Sequence, residues 1–242
     1  MHRRADHGLG HRPLTVAGLW RYPVKSMVGE QVSRIDIDMS GVVGDRGYAV
    51  ADAVTGKMLT AKREPRLLSA MANWREREVT ITLPAGTVVA AGDPAADSVL
   101  SDWLGRPVRL VSGGSPFVDD APVHLLSGAA IPSAGNVRRF RPNVLVESHH
   151  DDVCAEPESR WLDRPCGLVL DIGTARLTAI EACVRCVMVT HAQPGLPADP
   201  RVLRTLKRDR TLGVYAKTKA PGVISLGDQV RELFAAATGA LP

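Results

Sequence analysis

Aromatic residues are scarce, 4% of 242, so the chain offers no stacking platform for single-stranded nucleic acid. No stretch approaches the ~18 consecutive apolar residues of a membrane span. The segment Met1 to Arg12 has no apolar core and is not a secretory signal. It reads as a disordered polar tail (residues 1–12), and its His2, His7 and His11 have no fixed geometry for a metal. The chain has no G-x-G-x-x-G after a strand, no G-x-x-x-x-G-K-[ST], no H-E-x-x-H and no G-x-S-x-G. Those gaps remove the usual dinucleotide, P-loop, zinc-protease and serine-hydrolase signatures. There are only four cysteines, Cys154, Cys166, Cys183 and Cys186, and a disulfide framework is not expected in a cytosolic protein of this size. The expectation is a cytoplasmic protein whose partners include neither nucleic acid nor membrane.

What is present is an ordinary globular composition. Apolar residues make up 45% and charged residues 23%, with no long block of one sign. The length allows one large domain or two smaller ones. The net charge of +4 points to an anionic ligand or to a solvated arginine excess.

Short alternating runs dominate the first half. Thr15–Trp20 reads as a strand that stops at Tyr22-Pro23-Val24-Lys25-Ser26, where Pro23 removes a donor. Glu30–Asp38 reads as one half-buried strand with an irregularity. Gly41, Gly44 and Gly47 suit a tight turn around Asp45-Arg46. Strands follow at Tyr48–Asp52, Val79–Leu83, Thr87–Ala91 and Pro107–Val111, with a short helix from Ser98 to Leu104 that ends at Gly105. Ser112-Gly113-Gly114-Ser115-Pro116 reads as a linker. Beyond it, His124–Ile131 reads as a helical turn. Asn143–Glu147, Gly167–Ile172, Ala175–Ile180, Val187–His191 and Val230–Phe234 read as strands. Asp199-Pro200 opens a basic helix, with Asp199 as cap and Pro200 at its first position. The fold class is mainly β with some α.

Cys183-Val184-Arg185-Cys186 carries the most chemistry. A thioredoxin-type dithiol needs the first cysteine at a helix N-terminus, whereas the following V-M-V-T is β-like. A structural zinc site needs Cys154 and Cys166 as well, and only one pair has knuckle spacing. One thiolate on a soft metal such as molybdenum or copper, with a cofactor supplying the other ligands, is a third option. Two buried apolar thiols are the fourth. Phe140-Arg141-Pro142-Asn143, Lys25 and Arg46 each place cations in a rigid loop next to a strand. Each could fork onto a phosphate or lie solvated.

Taken in order, Tyr22-Pro23-Val24-Lys25-Ser26, Gly44-Asp45-Arg46, Arg63-Glu64-Pro65-Arg66-Leu67, Phe140-Arg141-Pro142-Asn143, Cys183-Val184-Arg185-Cys186 and Gly227-Asp228-Gln229-Val230 make a set. The set resembles the MOSC family (molybdenum cofactor sulfurase C-terminal domain), in the branch that includes the mitochondrial amidoxime reducing component. The resemblance implies an N-terminal MOSC β-barrel domain at 13–112, a MOSC β-barrel domain with peripheral helices at 117–234, and a C-terminal tail at 235–242. By that resemblance Cys186 is the catalytic residue and the molybdenum ligand, and Lys25, Ser26, Arg46, Asp120, Arg141, Asn143 and Tyr215 hold the molybdenum cofactor. Cys183 is not a ligand in the family pattern. The implied activity is a molybdenum-dependent reduction of N-hydroxylated small molecules. The alternatives are a sulfur carrier with a persulfide on Cys186, or a cofactor carrier without catalysis. Pyridoxal phosphate binding enters only as a family-level label. Few cysteines remain for an iron–sulfur cluster, so an external electron-donor protein is expected. Relatives often carry a D-P-x-T-G-like loop after the cysteine, where this chain reads Thr190-His191-Ala192-Gln193-Pro194-Gly195.

Overall fold

The structure is a computed structural model that describes residues 14–132, 135–148, 161–162, 168–206 and 208–233. The expected tails at 1–12 and 235–242, and Cys154 and Cys166, lie outside the described residues. Among the described residues no helix is long and apolar enough to cross a membrane.

Seven strands close into a barrel. They are β1 (Leu14–Arg21), β10 (Val123–Ser127), β11 (Val144–Ser148), β12 (Val169–Ile172), β13 (Ala175–Val184), β14 (Thr211–Ala220) and β16 (Gln229–Leu233). Their order is β11-β10-β14-β13-β12-β16-β1, and β1 pairs back onto β11 to complete the ring. Closure removes the exposed edges that an open sheet would leave. The side chains that fill the barrel include Val16, Leu125, Val144, Val146, Leu170, Leu177, Val214 and Ile224, all buried. Trp161 is buried in the same cluster, and its Nε1 donates to Glu232 Oε1 at 2.9 Å.

One barrel pair is parallel: β10 beside β11. Parallel neighbours need a crossover rather than a hairpin. Here the crossover carries a one-turn helix, α2 (Val137–Phe140). Arg141 ends it in the left-handed region, at φ 51°, and Pro142 cannot continue a helix. The expected basic loop is thus partly helical, and it delivers Arg141 to the mouth of β11.

The first half of the chain forms small sheets around a second core. β5 (Tyr48–Asp52) pairs with β9 (Val108–Ser112), and β6 (Met71–Arg75), β7 (Glu78–Thr82) and β8 (Val88–Ala90) form a meander. Helix α1 (Ala96–Leu104) buries Ala96, Leu100 and Leu104 against them and stops at Gly105, φ 62°. Asp97, in its first turn, accepts the backbone N–H of Leu110.

Several local expectations change. Glu30–Asp38 divides at Ser33 into β2 (Glu30–Val32), which pairs with β1, and β3 (Arg34–Asp38). β3 lies between β4 (Gly41–Val42) and β15 (Gly222–Ser225). In His124–Ile131 the first half, to Ser127, belongs to strand β10, because its residues fill the barrel wall, and a short 3-10 turn follows at Gly128–Ala130. Val187–Thr190 is a 3-10 turn rather than a strand. The basic helix after Asp199 shrinks to a 3-10 turn at Val202–Arg204. Asp199 does accept from the backbone N–H of Arg201, but its carboxylate is also taken by the Arg201 side chain. With only Val202 buried there, little apolar burial holds a longer helix. β1, β2 and β3 precede the Ser112–Pro116 stretch, yet β1 closes the barrel and β3 pairs with β15.

Candidate functional site

A cleft of about 300 Å³ gathers Lys25, Ser26, Arg46, Asp120, Arg141, Cys186 and Tyr215. Seven of the eight residues expected at the site therefore share one cavity. Asn143 is the exception. It is fully buried, its Nδ2 donates to Trp20 O at 3.3 Å, and its Oδ1 accepts the His124 backbone N–H at 3.1 Å. Asn143 ties β1 to β10 instead of lining the cleft.

Tyr22 stands at the centre of the cationic wall. The guanidinium of Arg141 lies 4.1 Å from its ring centroid and that of Arg46 lies 5.2 Å away. Its hydroxyl donates to Pro142 O at 3.1 Å, and burial raises its phenol well above the ordinary value. Arg46 sits at φ 49°, donates its backbone N–H to Tyr22 O at 2.7 Å, and pairs with Asp45 through its side chain. Burial pushes the Asp45 carboxyl up, against the pull of Arg46 and the Tyr22 backbone N–H. Gly44, at φ 79°, packs under Trp74; a Cβ there would lie 2.8 Å from the indole. Glycine is required for Asp45-Arg46 to reach Tyr22.

Lys25 leaves the turn after β1 and spans the cleft. Its ammonium donates to Phe117 O at 3.0 Å and to Asp119 Oδ1 at 2.6 Å. The segment just after the stretch read as a linker is thereby held against the cavity, and Phe117 N also donates to Arg46 O. Ser26 adopts φ 68° and accepts the Ala61 N–H at 3.0 Å, leaving its own hydroxyl proton free to donate.

The other wall comes from β10, β13 and β14. His124 is buried, with Nδ1 3.2 Å from Arg141 O and Nε2 2.6 Å from Arg185. Burial, with Arg185 alongside, holds it far below the ordinary imidazole value. A neutral ring that donates from Nδ1 and accepts at Nε2 satisfies both contacts. Arg185, although next to Cys186 in sequence, is not a free cation beside the thiol. It is buried, and it donates to Leu212 O at 2.9 Å and Phe140 O at 2.9 Å.

Strand alternation separates the two thiols. Cys183 and Arg185 point inward, while Val184 and Cys186 point outward. Cys183 is buried, and burial raises its thiol against Arg185 and a hydrogen bond from Tyr215. Cys186 is exposed and opens the Val187–Thr190 turn at the cleft. Zinc-knuckle and dithiol geometries both need the pair to converge, and it does not.

One atom speaks for a missing partner. Arg141 is only 6% exposed; Nη1 donates to Met27 O at 2.6 Å, but Nη2 is buried with no acceptor. Burial pushes its guanidinium down to about 10. An unpaired buried donor of this kind is costly unless an acceptor arrives. The cavity thus fits a ligand with an anionic oxygen and a soft atom to meet Cys186. Among the described residues no group of three or more His, Cys, Asp or Glu could hold a metal alone, so one thiolate is what this wall provides. Sequence reading missed Tyr22, Asp45, His124 and Lys62, the last of which also lines the cleft. Tyr22 and Asp45 stood inside the quoted motifs, but their role depends on what packs against them.

A barrel-based fold and this cleft define the class, and the sequence agrees. The profile of the MOSC N-terminal beta barrel domain matches residues 13–104, and that of the MOSC domain matches residues 117–231. The chain belongs to the MOSC family. Mitochondrial amidoxime-reducing component 1 of Homo sapiens is 27% identical, over 89% of this chain and 82% of that protein. The molybdenum cofactor sulfurase of Danio rerio is 24% identical, over 89% of this chain and 34% of that protein. Among solved structures, the YUAD protein from Bacillus subtilis overlays with a TM-score of 0.47 at 16% identity, covering 90% of this chain and 94% of that one.

Proposed function

We propose that this protein binds a molybdenum cofactor in the Cys186 cleft and reduces N-hydroxylated small molecules. The observation that carries the reading is the joint presence of an exposed Cys186 thiol and the orphaned Arg141 Nη2 in one cavity. Cys186 would ligate the metal. Lys25, Ser26, Arg46 and Arg141 would hold the pterin phosphate and polar edge, as charge-assisted donors do. When bound, the cofactor would supply two electrons that, with two protons, turn an N–OH group into N–H and water.

The chain's own contribution is position and charge. Arg46 and Arg141 are fixed against Tyr22 before any ligand arrives, so little reorganisation is needed. Lys25 would exchange the exposed Asp119 for the cofactor anion. Asp120 and Tyr215 line the same cavity and would contact the cofactor there. Electrons would come from a separate donor protein, and the substrate would be a small molecule, as the amidoxime-reducing relatives' names suggest. The exposure of Cys186 also favours a second reading, a sulfur carrier with a persulfide on that residue.

The test is molybdenum content after expression in a cofactor-producing host, followed by amidoxime reduction with an artificial donor. Cys186→Ala is expected to abolish molybdenum retention, and Cys183→Ala to keep it. Equal loss from both would contradict the single-ligand assignment. Cyanide-releasable sulfur on Cys186, with no molybdenum, would favour the carrier.

A further inference from the structure

A second cavity, of about 320 Å³, shares Arg141 with the Cys186 cleft but none of its other lining residues. Its walls are Trp20, Tyr22 and Met71 on one side and Arg138 and Gln193 on the other. Two guanidiniums line it, and no carboxylate does. Gln193 is only 7% exposed, and its side-chain Nε2 is buried with no acceptor. The loop that carries this amide is held firmly. Gln193 and Leu196 exchange backbone hydrogen bonds at 2.8 Å each. Arg138 donates to Pro194 O at 2.9 Å, and Arg139 donates to Val189 O at 3.2 Å and His191 O at 3.1 Å. An orphaned donor on a pinned loop, inside a cavity, is a built feature and not slack in a surface turn.

We propose that this cavity binds a small planar carboxylate with an apolar, aromatic body. The Gln193 amide and the Arg138 guanidinium would donate to the carboxylate oxygens, with the Arg141 charge alongside. The ring would lie against the apolar wall of Trp20, Tyr22 and Met71. The volume is at the small end of ligand sites. A compact polyanion such as phosphate would leave that apolar wall unused, and a neutral ring would bring no charge to the two guanidiniums, which face no carboxylate in the cavity. The proposal rests on Gln193 and Arg138 in a different cavity, with Arg141 the one residue it shares with the molybdenum reading.

Ligand-detected NMR on the full chain tests it, with benzoate as probe, benzamide as its neutral counterpart and inorganic phosphate as competitor. Benzoate is expected to bind, benzamide at least tenfold more weakly, and equimolar phosphate not to displace it. Gln193→Leu, which removes the donor, should weaken benzoate by about tenfold or more. Met71→Trp, at an exposed rim position, should block the cavity without touching the fold. Equal binding of benzoate and benzamide would overturn the proposal, as would displacement by phosphate. So would benzoate binding that both variants leave unchanged, since the probe would then sit elsewhere, for instance beside Lys25.

Discussion

His124 shows how much one buried side chain can organise. Its ring joins Arg141 O to Arg185, and so links the crossover before β11 to the end of β13. It stays neutral in the folded protein, because burial and Arg185 depress it. The unfolded chain takes up a proton at this position near pH ~6.5, while the folded chain does not. Its contribution to stability is therefore complete above that pH and falls as the pH drops toward the folded value. Urea midpoints at pH 7 and pH 5 should show a smaller acid loss in His124→Gln than in the native sequence; an identical loss would exclude His124 as a source. Gly213 serves the same contact from β14. It holds φ 78°, and a Cβ would lie 2.4 Å from His124 Nε2. Gly213→Ala is expected to cost about 2 kcal/mol or more in chemical denaturation. A variant as stable as the original would mean that β14 has room to move.

At the scale of elements, β13 decides which thiol is chemical. Its alternation, continued through Arg185 to the extended Cys186 just past its end, puts Cys183 among core side chains and Cys186 in the cleft. Iodoacetamide followed by peptide mapping should label Cys186 in the native protein and Cys183 only in denaturant. Comparable native labelling of both would place the strand in another register. The crossover between β10 and β11 works similarly. A parallel pair forces the chain to leave and return, and the return presents Arg141 and Pro142 at the strand's mouth. The C-x-x-C, the Phe140–Asn143 motif and the Tyr22–Ser26 turn were legible as sequence, since Pro, Gly and Arg mark such turns. What each Arg does was not. Arg141 and Arg185 both line the cleft, but Arg185 spends its donors on Leu212 O, Phe140 O and His124, whereas Arg141 keeps Nη2 unpaired.

For the molecule as a whole, the first and second halves share structure. β1 closes a barrel built mostly from the second half, and the turn that follows it carries Lys25 and Ser26. The second core, around Leu67, Ile81 and Leu100, flanks the same turn through Val24 and Met27. Unfolding should therefore be one cooperative event. Leu125→Ala in the barrel and Leu100→Ala in the second core should each lower the midpoint of a single transition, at about 2–5 kcal/mol. Two separate transitions, each sensitive to one substitution, would show that the halves unfold independently.

The sequence by itself determined the β-rich class and the ordered set of motifs. Alternation and turn residues are local features, and local chemistry enforces them. The basic helix after Asp199 and the strand at Val187–His191 failed for the opposite reason. Propensity and capping are weak there, and what packs nearby decides the conformation. Tertiary structure alone decided that β1 completes the barrel, that Asn143 braces the wall rather than the cleft, and that Arg141 keeps a buried donor without a partner. Those outcomes depend on residues more than 90 positions apart meeting, as Asn143 meets Trp20, and no short window of sequence contains that information.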